Sequence, residues 1–162
     1  MMTKKQTVLL LSYEKDLTAQ EIRKQLRERG VPTFLLDTGD FPTRVQLHAR
    51  YEGETWEGYL VMQDGVQIDL QQIRSMLYRR PTHYQIDPTL PPQVQGAAEN
   101  ECSRGFGGIL RSLDCFWVSD IDAIRAASFK PRQLTLARRL GMKTPRTLVT
   151  NQPGALKQFY QE

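Results

Sequence analysis

Apolar positions change their period several times along this chain, and each change marks an element. Thr7-Val8-Leu9-Leu10-Leu11-Ser12 is a short continuous apolar run after a charged start. It predicts a strand buried on both faces. Ile22, Leu26 and Val31 then continue an apolar stripe at helical spacing, with Thr18 and Glu21 three apart in capping-box spacing and Gly30 as the stop. Pro32-Thr33-Phe34-Leu35-Leu36-Asp37 predicts a second buried strand. Strand, helix and strand at this spacing form a βαβ unit, so the sheet is parallel here and the crossover right-handed.

The pattern then shortens to period two. Val45, Leu47, Ala49 and Tyr51 alternate with polar residues, Gly53 turns the chain, and Trp56, Tyr59, Val61, Val66 and Ile68 follow. With Asp64-Gly65 as a hairpin signal, residues 44–69 predict an antiparallel meander, inserted into the parallel sheet or added at its edge. Ser75 to Arg80 predicts another strand, closed by Pro81, and Thr82 to Pro92 a loop punctuated by three prolines. Gln93 to Leu113 turns amphipathic, with Phe106, Ile109, Leu110 and Leu113 on one side, and Cys115 to Val118 predicts a strand. Ile121 to Ala127 and Pro131 to Leu140 predict two helices broken at the Lys130-Pro131 bond. Thr147 to Thr150 predicts a last short strand, and Pro153 to Tyr160 one more helix. The order βαβ, hairpins, β, α, β, α, β defines an α/β fold: a mostly parallel sheet with an antiparallel hairpin insertion.

Composition narrows the class. At 162 residues, 40% apolar and 25% charged, the chain suits one soluble globular domain. Whole-chain disorder, a collagen repeat and a coiled coil are excluded. The longest apolar run near the start, Val8 to Leu11, is far short of the roughly 20 residues of a spanning helix. It is also too short for a signal peptide, so a cytoplasmic location is expected and a membrane partner is not. Cys102 and Cys115 form no C-x-x-C, and with only His48 and His83 no zinc set assembles by spacing. Two reduced thiols are expected.

The net charge of +4 is unevenly placed: from Ala123 to Gln161 there are eight Lys or Arg residues and no Asp or Glu. Such a segment either attracts anions, including an acidic peptide, or is a solvated face whose acidic partners lie elsewhere in space. The dense basic cluster with interleaved aromatics of a nucleic-acid binder is missing, so no nucleic-acid partner is expected.

Four motifs bear on chemistry. Arg104-Gly105-Phe106-Gly107-Gly108 has the composition of a phosphate-cradling loop, but it lies inside a helical pattern, where close packing of helix on sheet explains glycine better. Glu14 and Asp16 follow the first strand as acids do in phosphoacceptor receivers, yet no Lys follows Val118 as that fold wants. Tyr78-Arg79-Arg80-Pro81 ends a presumed parallel strand, at the edge where open α/β sheets bind ligands. An arginine there holds a carboxylate or phosphate in its fork, or is simply half of a surface pair. Lys130 precedes Pro131 at a helix N-terminus, where a cation gains nothing from the helix dipole. That placement suits either a nearby ligand anion or a solvent-exposed lysine.

The segment from Lys130 to Thr147, with its Lys, helix, Gly141 and Pro145-Arg146-Thr147, resembles the junction at which a Rossmann-like preATP-grasp domain of an ATP-grasp ligase hands over to the nucleotide-binding lobes. Together with Leu36-Asp37-Thr38-Gly39-Asp40-Phe41-Pro42, Tyr78-Arg79-Arg80-Pro81 and Ser112-Leu113-Asp114-Cys115-Phe116-Trp117-Val118, it is similar to the microviridin-type (graspetide) peptide ligases. The resemblance implies a preATP-grasp domain over 1–150 and, over 151–162, the start of a linker toward C-terminal ATP-grasp lobes. It implies an enzyme that uses ATP and Mg²⁺ to join side-chain carboxylates of an acidic ribosomal precursor peptide to hydroxyls or amines, as lactones or lactams. Lys130 matches a lysine that touches nucleotide phosphate, and Arg79 and Arg80 match a strand end facing the peptide. A homodimer is implied by the resemblance alone. The metal-binding acids and the catalytic arginine of that family match no residue here. The 162 residues by themselves are therefore expected to be inactive and to bind no cofactor tightly, as part of a longer ligase or as a stand-alone remnant. The alternative is a non-catalytic binding or dimerisation module for an acidic peptide.

Overall fold

The computed structural model describes residues 5–162. It divides into two compact units, the first ending at Asp120 and the second spanning Ile121–Glu162.

The first unit is built on a parallel sheet of β1 (Thr7–Ser12), β2 (Thr33–Leu36), β6 (Ile73–Arg80) and β7 (Phe116–Val118), in the order β2-β1-β6-β7. Successive side chains of β1 serve opposite faces. Leu10 packs with Ala19 of helix α1 (Leu17–Glu28) and Leu35 of β2, while Leu9 and Leu11 enter the larger core with Met76, Phe106 and Leu110. Helix α2 (Pro92–Ser112) supplies Phe106, Ile109 and Leu110 to that second face. Phe106 is fully buried and stacks on Phe41 at 4.6 Å.

The predicted meander forms as β3 (Gln46–Glu52), β4 (Thr55–Val61) and β5 (Gln67–Asp69), turned at Gly53 and Gly65, both at positive φ. It is neither inserted into the parallel sheet nor added to its edge. It is a separate three-stranded sheet whose inner residues Leu60 and Ile68 close over the α2 side of the core. Alternation explains this: one face is apolar enough to pack face to face, which edge addition would leave wet. β6 begins two residues earlier than its pattern suggests, because Thr7 pairs with Ile73, itself buried.

Three other expectations change. The cap of α1 is Asp16, whose carboxylate accepts from the amides of Thr18 and Ala19, so Thr18 lies inside the first turn. Close packing of helix on sheet does not account for the glycines of α2: a Cβ on Gly107 would meet the flexible end of Arg111, on the same helix, at 3.0 Å and the Tyr84 hydroxyl at an ordinary 3.5 Å, while Gly105 and Gly108 face open space, and nothing in the structure explains them. The third concerns the second unit, which holds helices α3 (Ile121–Ala127), α4 (Lys130–Arg139) and α5 (Pro153–Gln161). Residues 147–150 form no strand there. Thr147 turns its hydroxyl back to the Pro145 carbonyl and Thr150 accepts from the Gln152 amide, local bonds that compete with extended pairing.

Candidate functional site at the carboxyl edge of the parallel sheet

From β1 the chain steps outward to β2, then returns across β1 to β6. The strand order therefore reverses between β1 and β6, and loops leaving their carboxyl ends diverge. Open α/β sheets bind ligands in the crevice at such a point.

Ser12 ends β1 and Arg80 lies opposite it, after a register irregularity that follows Leu11. Beside them sits a buried polar network. The Ser12 hydroxyl donates to Asp16 Oδ2 at 2.8 Å, and Arg79 Nε donates to the same oxygen at 2.7 Å. Asp16 Oδ1 caps α1. Burial alone would raise the Asp16 pKa. The bonds from Ser12, Arg79 and the Ala19 amide, with the Arg79 charge, more than offset it and hold the carboxyl below its ordinary value.

The two candidate arginines are thus separated. Arg79 donates Nε to Asp16, and its side chain as a whole is 31% exposed. Arg80 is exposed and, among the described residues, has no ion-pair partner. Alternation along β6 separates the pair, as adjacent residues point to opposite sides.

A second device fixes the rim. Asp37 Oδ1 accepts from the amide and the hydroxyl of Thr82, at 2.7 and 2.9 Å, and from the Gly39 amide at 3.1 Å. Thr38 donates to the Thr82 carbonyl at 2.8 Å, and the Gln85 amide to the Gly39 carbonyl at 3.2 Å. These bonds join the loops leaving β2 and β6, the strands on either side of β1. Gly39 permits the approach, since a Cβ would fall 2.8 Å from the His83 carbonyl and against Thr82. Sequence reasoning missed Ser12, Asp16 and this clamp as a site framework. Only the proximity of Asp16 to an apolar run, and the Asp-Thr-Gly-Asp turn composition, could have hinted at them.

Lys130 belongs to the second unit. It opens α4, with Phe129 as the cap residue, so the chain breaks before Lys130 and not after it. Its ammonium is exposed and lies 3.5 Å from Gln133 Oε1. Among the described residues no group of three His, Cys, Asp or Glu side chains could hold a metal ion, and no helix is long and apolar enough to cross a membrane. Cys102 and Cys115 are free thiols, their pKa values raised by burial.

Residues 7–125 match a family model described as the MvdD pre-ATP grasp domain. The macrocyclase MdnB from Microcystis aeruginosa MRC is 31% identical, with a TM-score of 0.87 over 97% of this chain and 52% of its own. Macrocyclase MdnC of the same organism, solved bound with precursor peptide MdnA, is 30% identical with a TM-score of 0.84, over 96% of this chain and 51% of its own. A Chryseobacterium gregarium RiPP-associated ATP-grasp ligase, solved with ADP and a leader and core peptide, shares the fold at 24% identity and a TM-score of 0.79, over 96% of this chain and 47% of its own. The chain spans about half the length of these solved relatives. No curated protein gives a significant match.

Proposed function

The chain belongs to the MvdD-type pre-ATP-grasp domain family of graspetide maturases, and from that membership we propose that it serves an ATP-dependent ligase that closes lactone or lactam rings in a ribosomal precursor peptide. The support is the family match over residues 7–125, combined with an exposed Arg80 beside the hydrogen-bonded switch point of the sheet.

In this reading residues 1–150 act as the preATP-grasp domain and 151–162 lead toward ATP-grasp lobes. Arg80, and the outer nitrogens of Arg79, contact carboxylates of an acidic core peptide, which arginine forks suit. Lys130 faces nucleotide phosphate. The residues present do not by themselves fit Mg²⁺-ATP: the candidate phosphate contact is the exposed Lys130, and among the described residues there is no carboxylate cluster for the metal. Metal and nucleotide chemistry therefore belongs to the lobes, and this chain binds and orients the peptide. Its place is the cytosol, consistent with two free thiols, and a homodimer is part of the same reading.

The coding sequence beyond Glu162 and the neighbouring genes test it. ATP-grasp lobes in frame or in a partner gene, and loss of one water mass per ring from the precursor when lobes, ATP and Mg²⁺ are supplied, are expected. A stop codon with no such partner, or no mass loss with all components present, overturns it.

A further inference from the structure

An arginine meets a carboxylate through one of two edges of its planar fork: the side, which uses Nε and one outer nitrogen, or the end, which uses both outer nitrogens. At the carboxyl edge of the parallel sheet that choice is already made. Arg79 Nε donates to Asp16 Oδ2, its one bond among the described residues, and neither outer nitrogen is buried without a partner, so both reach solvent. Asp16 is buried and engaged on every side: Oδ2 also accepts from Ser12, and Oδ1 from the amides of Thr18 and Ala19. Tied to the end of β1 and the start of α1, it is a fixed point for the guanidinium. The neighbouring carboxylates have partners of their own. Glu14 lies 3.7 Å from Arg23, Asp40 lies 2.6 Å from Arg44, and Asp37 holds Thr82 and the Gly39 amide. Among the described residues none of them bonds the open end of Arg79.

We propose that Asp16 is a positioning residue of the ligase: by holding Nε it aims the end of the Arg79 fork at one carboxylate of the peptide substrate. The inference rests on the reading above that this edge meets carboxylates of an acidic peptide, and adds the residue that prepares the contact and the edge of the arginine that makes it. Location argues for a substrate group over one of the enzyme's own. Both residues flank the reversal of strand order, where open α/β sheets take their ligands. The pairing also divides the work of the two arginines. Arg79 has its charge largely offset by Asp16, so it contributes geometry, whereas exposed Arg80, with no ion-pair partner among the described residues, contributes net positive charge. A guanidinium held on one side has little freedom left to lose, and it takes a planar carboxylate in one orientation.

The test is a double-mutant cycle in the ligase with its ATP-grasp lobes, using the precursor peptide encoded beside it and reading ring formation by mass. D16N keeps a helix cap, since asparagine caps as well as aspartate, but it has one acceptor where Asp16 has two. D16N and R79A should each raise the peptide KM by about tenfold. D16N/R79A should raise it no further than R79A does, because Asp16 acts through Arg79. The double variant should nonetheless melt above R79A, as the unpaired buried carboxylate is gone. R79K, which keeps the charge without the fork, should match R79A in KM. I68V, a change in the buried core of the meander, should lower the melting temperature without moving KM and so reports what lost stability alone does. Additive KM losses, or a wild-type KM in D16N, leave Asp16 a structural role only and overturn the proposal. A wild-type KM in R79A with a lowered melting temperature also overturns it, and assigns the open end of Arg79 to a carboxylate of the enzyme. If the wild-type enzyme closes no ring, the ligase reading falls, and the same cycle is read by fluorescence anisotropy with the labelled peptide. Coupled losses of affinity there uphold the positioning role, while additive losses or no binding overturn it.

Discussion

Arg79 Nε and Asp16 Oδ2 lie 2.7 Å apart, so the carboxyl end of β6 is tied to the cap of α1 across the point where the sheet reverses its strand order. The same carboxylate serves Ser12 and the helix amides. One side chain therefore sets the positions of two strand ends and a helix start, and its ionised form is the one the site needs.

Acid should expose this dependence. The Asp16 pKa is lowered in the folded chain, so its contribution to stability is complete above the ordinary carboxylate value near 3.8 and is lost as pH falls through the lower folded value. D16N keeps the shape but not the charge. It should melt several degrees below the wild type at neutral pH, with the gap closing as the pH drops below about 4. Thermal melts from neutral pH to pH 2 measure both curves, and a constant gap would show that Asp16 is not the titrating group.

The clamp between the β2 and β6 loops makes a separate prediction. G39A places a methyl group against Thr82 and 2.8 Å from the His83 carbonyl. Overpacking of this kind costs about 1–3 kcal/mol. T82A removes the hydroxyl that G39A meets but also a bond to Asp37. Urea denaturation of both single variants and the double should therefore give less than the sum of the two losses, since residues in contact couple. Strict additivity would place the strain elsewhere, on the His83 carbonyl.

Much of this was legible in local pattern, because local pattern made it. The Val8–Leu11 run became β1 over the predicted residues, as a strand buried on both faces must be apolar throughout. Alternation from Val45 to Ile68 gave the three meander strands, though not their sheet, which depends on what the apolar face finds to pack on. The site framework was invisible for a different reason. Asp16 meets Arg79 across 63 residues and Asp37 meets Thr82 across 45, and no spacing rule reaches that far. Residues 147–150 show the converse: a β-prone composition makes no strand when threonine hydroxyls turn to their own backbone.

The unequal surroundings of the two arginines should separate them in a functional assay with the ATP-grasp lobes supplied. R80A removes an exposed side chain, so it should leave the melting temperature within a degree or so and raise the peptide KM by about tenfold, the scale of one charge-assisted bond. R79A strips Asp16 of its ion partner and should lower the melting temperature together with peptide affinity. Steady-state kinetics and melts on the same preparations make the comparison. A normal KM for R80A would remove it as a peptide contact.

Nucleotide binding offers the sharpest check on how the chemistry is divided. Lys130 opens α4 with its ammonium exposed and 3.5 Å from Gln133 Oε1. An exposed cation in water gains little from one phosphate, about the scale of a surface ion pair, and the described residues provide no carboxylate cluster to seat a metal beside it. Calorimetric titration of the 162-residue chain with ATP and Mg²⁺ should accordingly show no saturable heat. With the lobes attached, saturable binding should appear and K130A should weaken it, because a lysine enclosed with the phosphates works in a lower dielectric than one in water. Saturable ATP binding by the 162 residues, unchanged in K130A, would locate a nucleotide site on this chain away from Lys130 and reverse the division of labour proposed for the two parts.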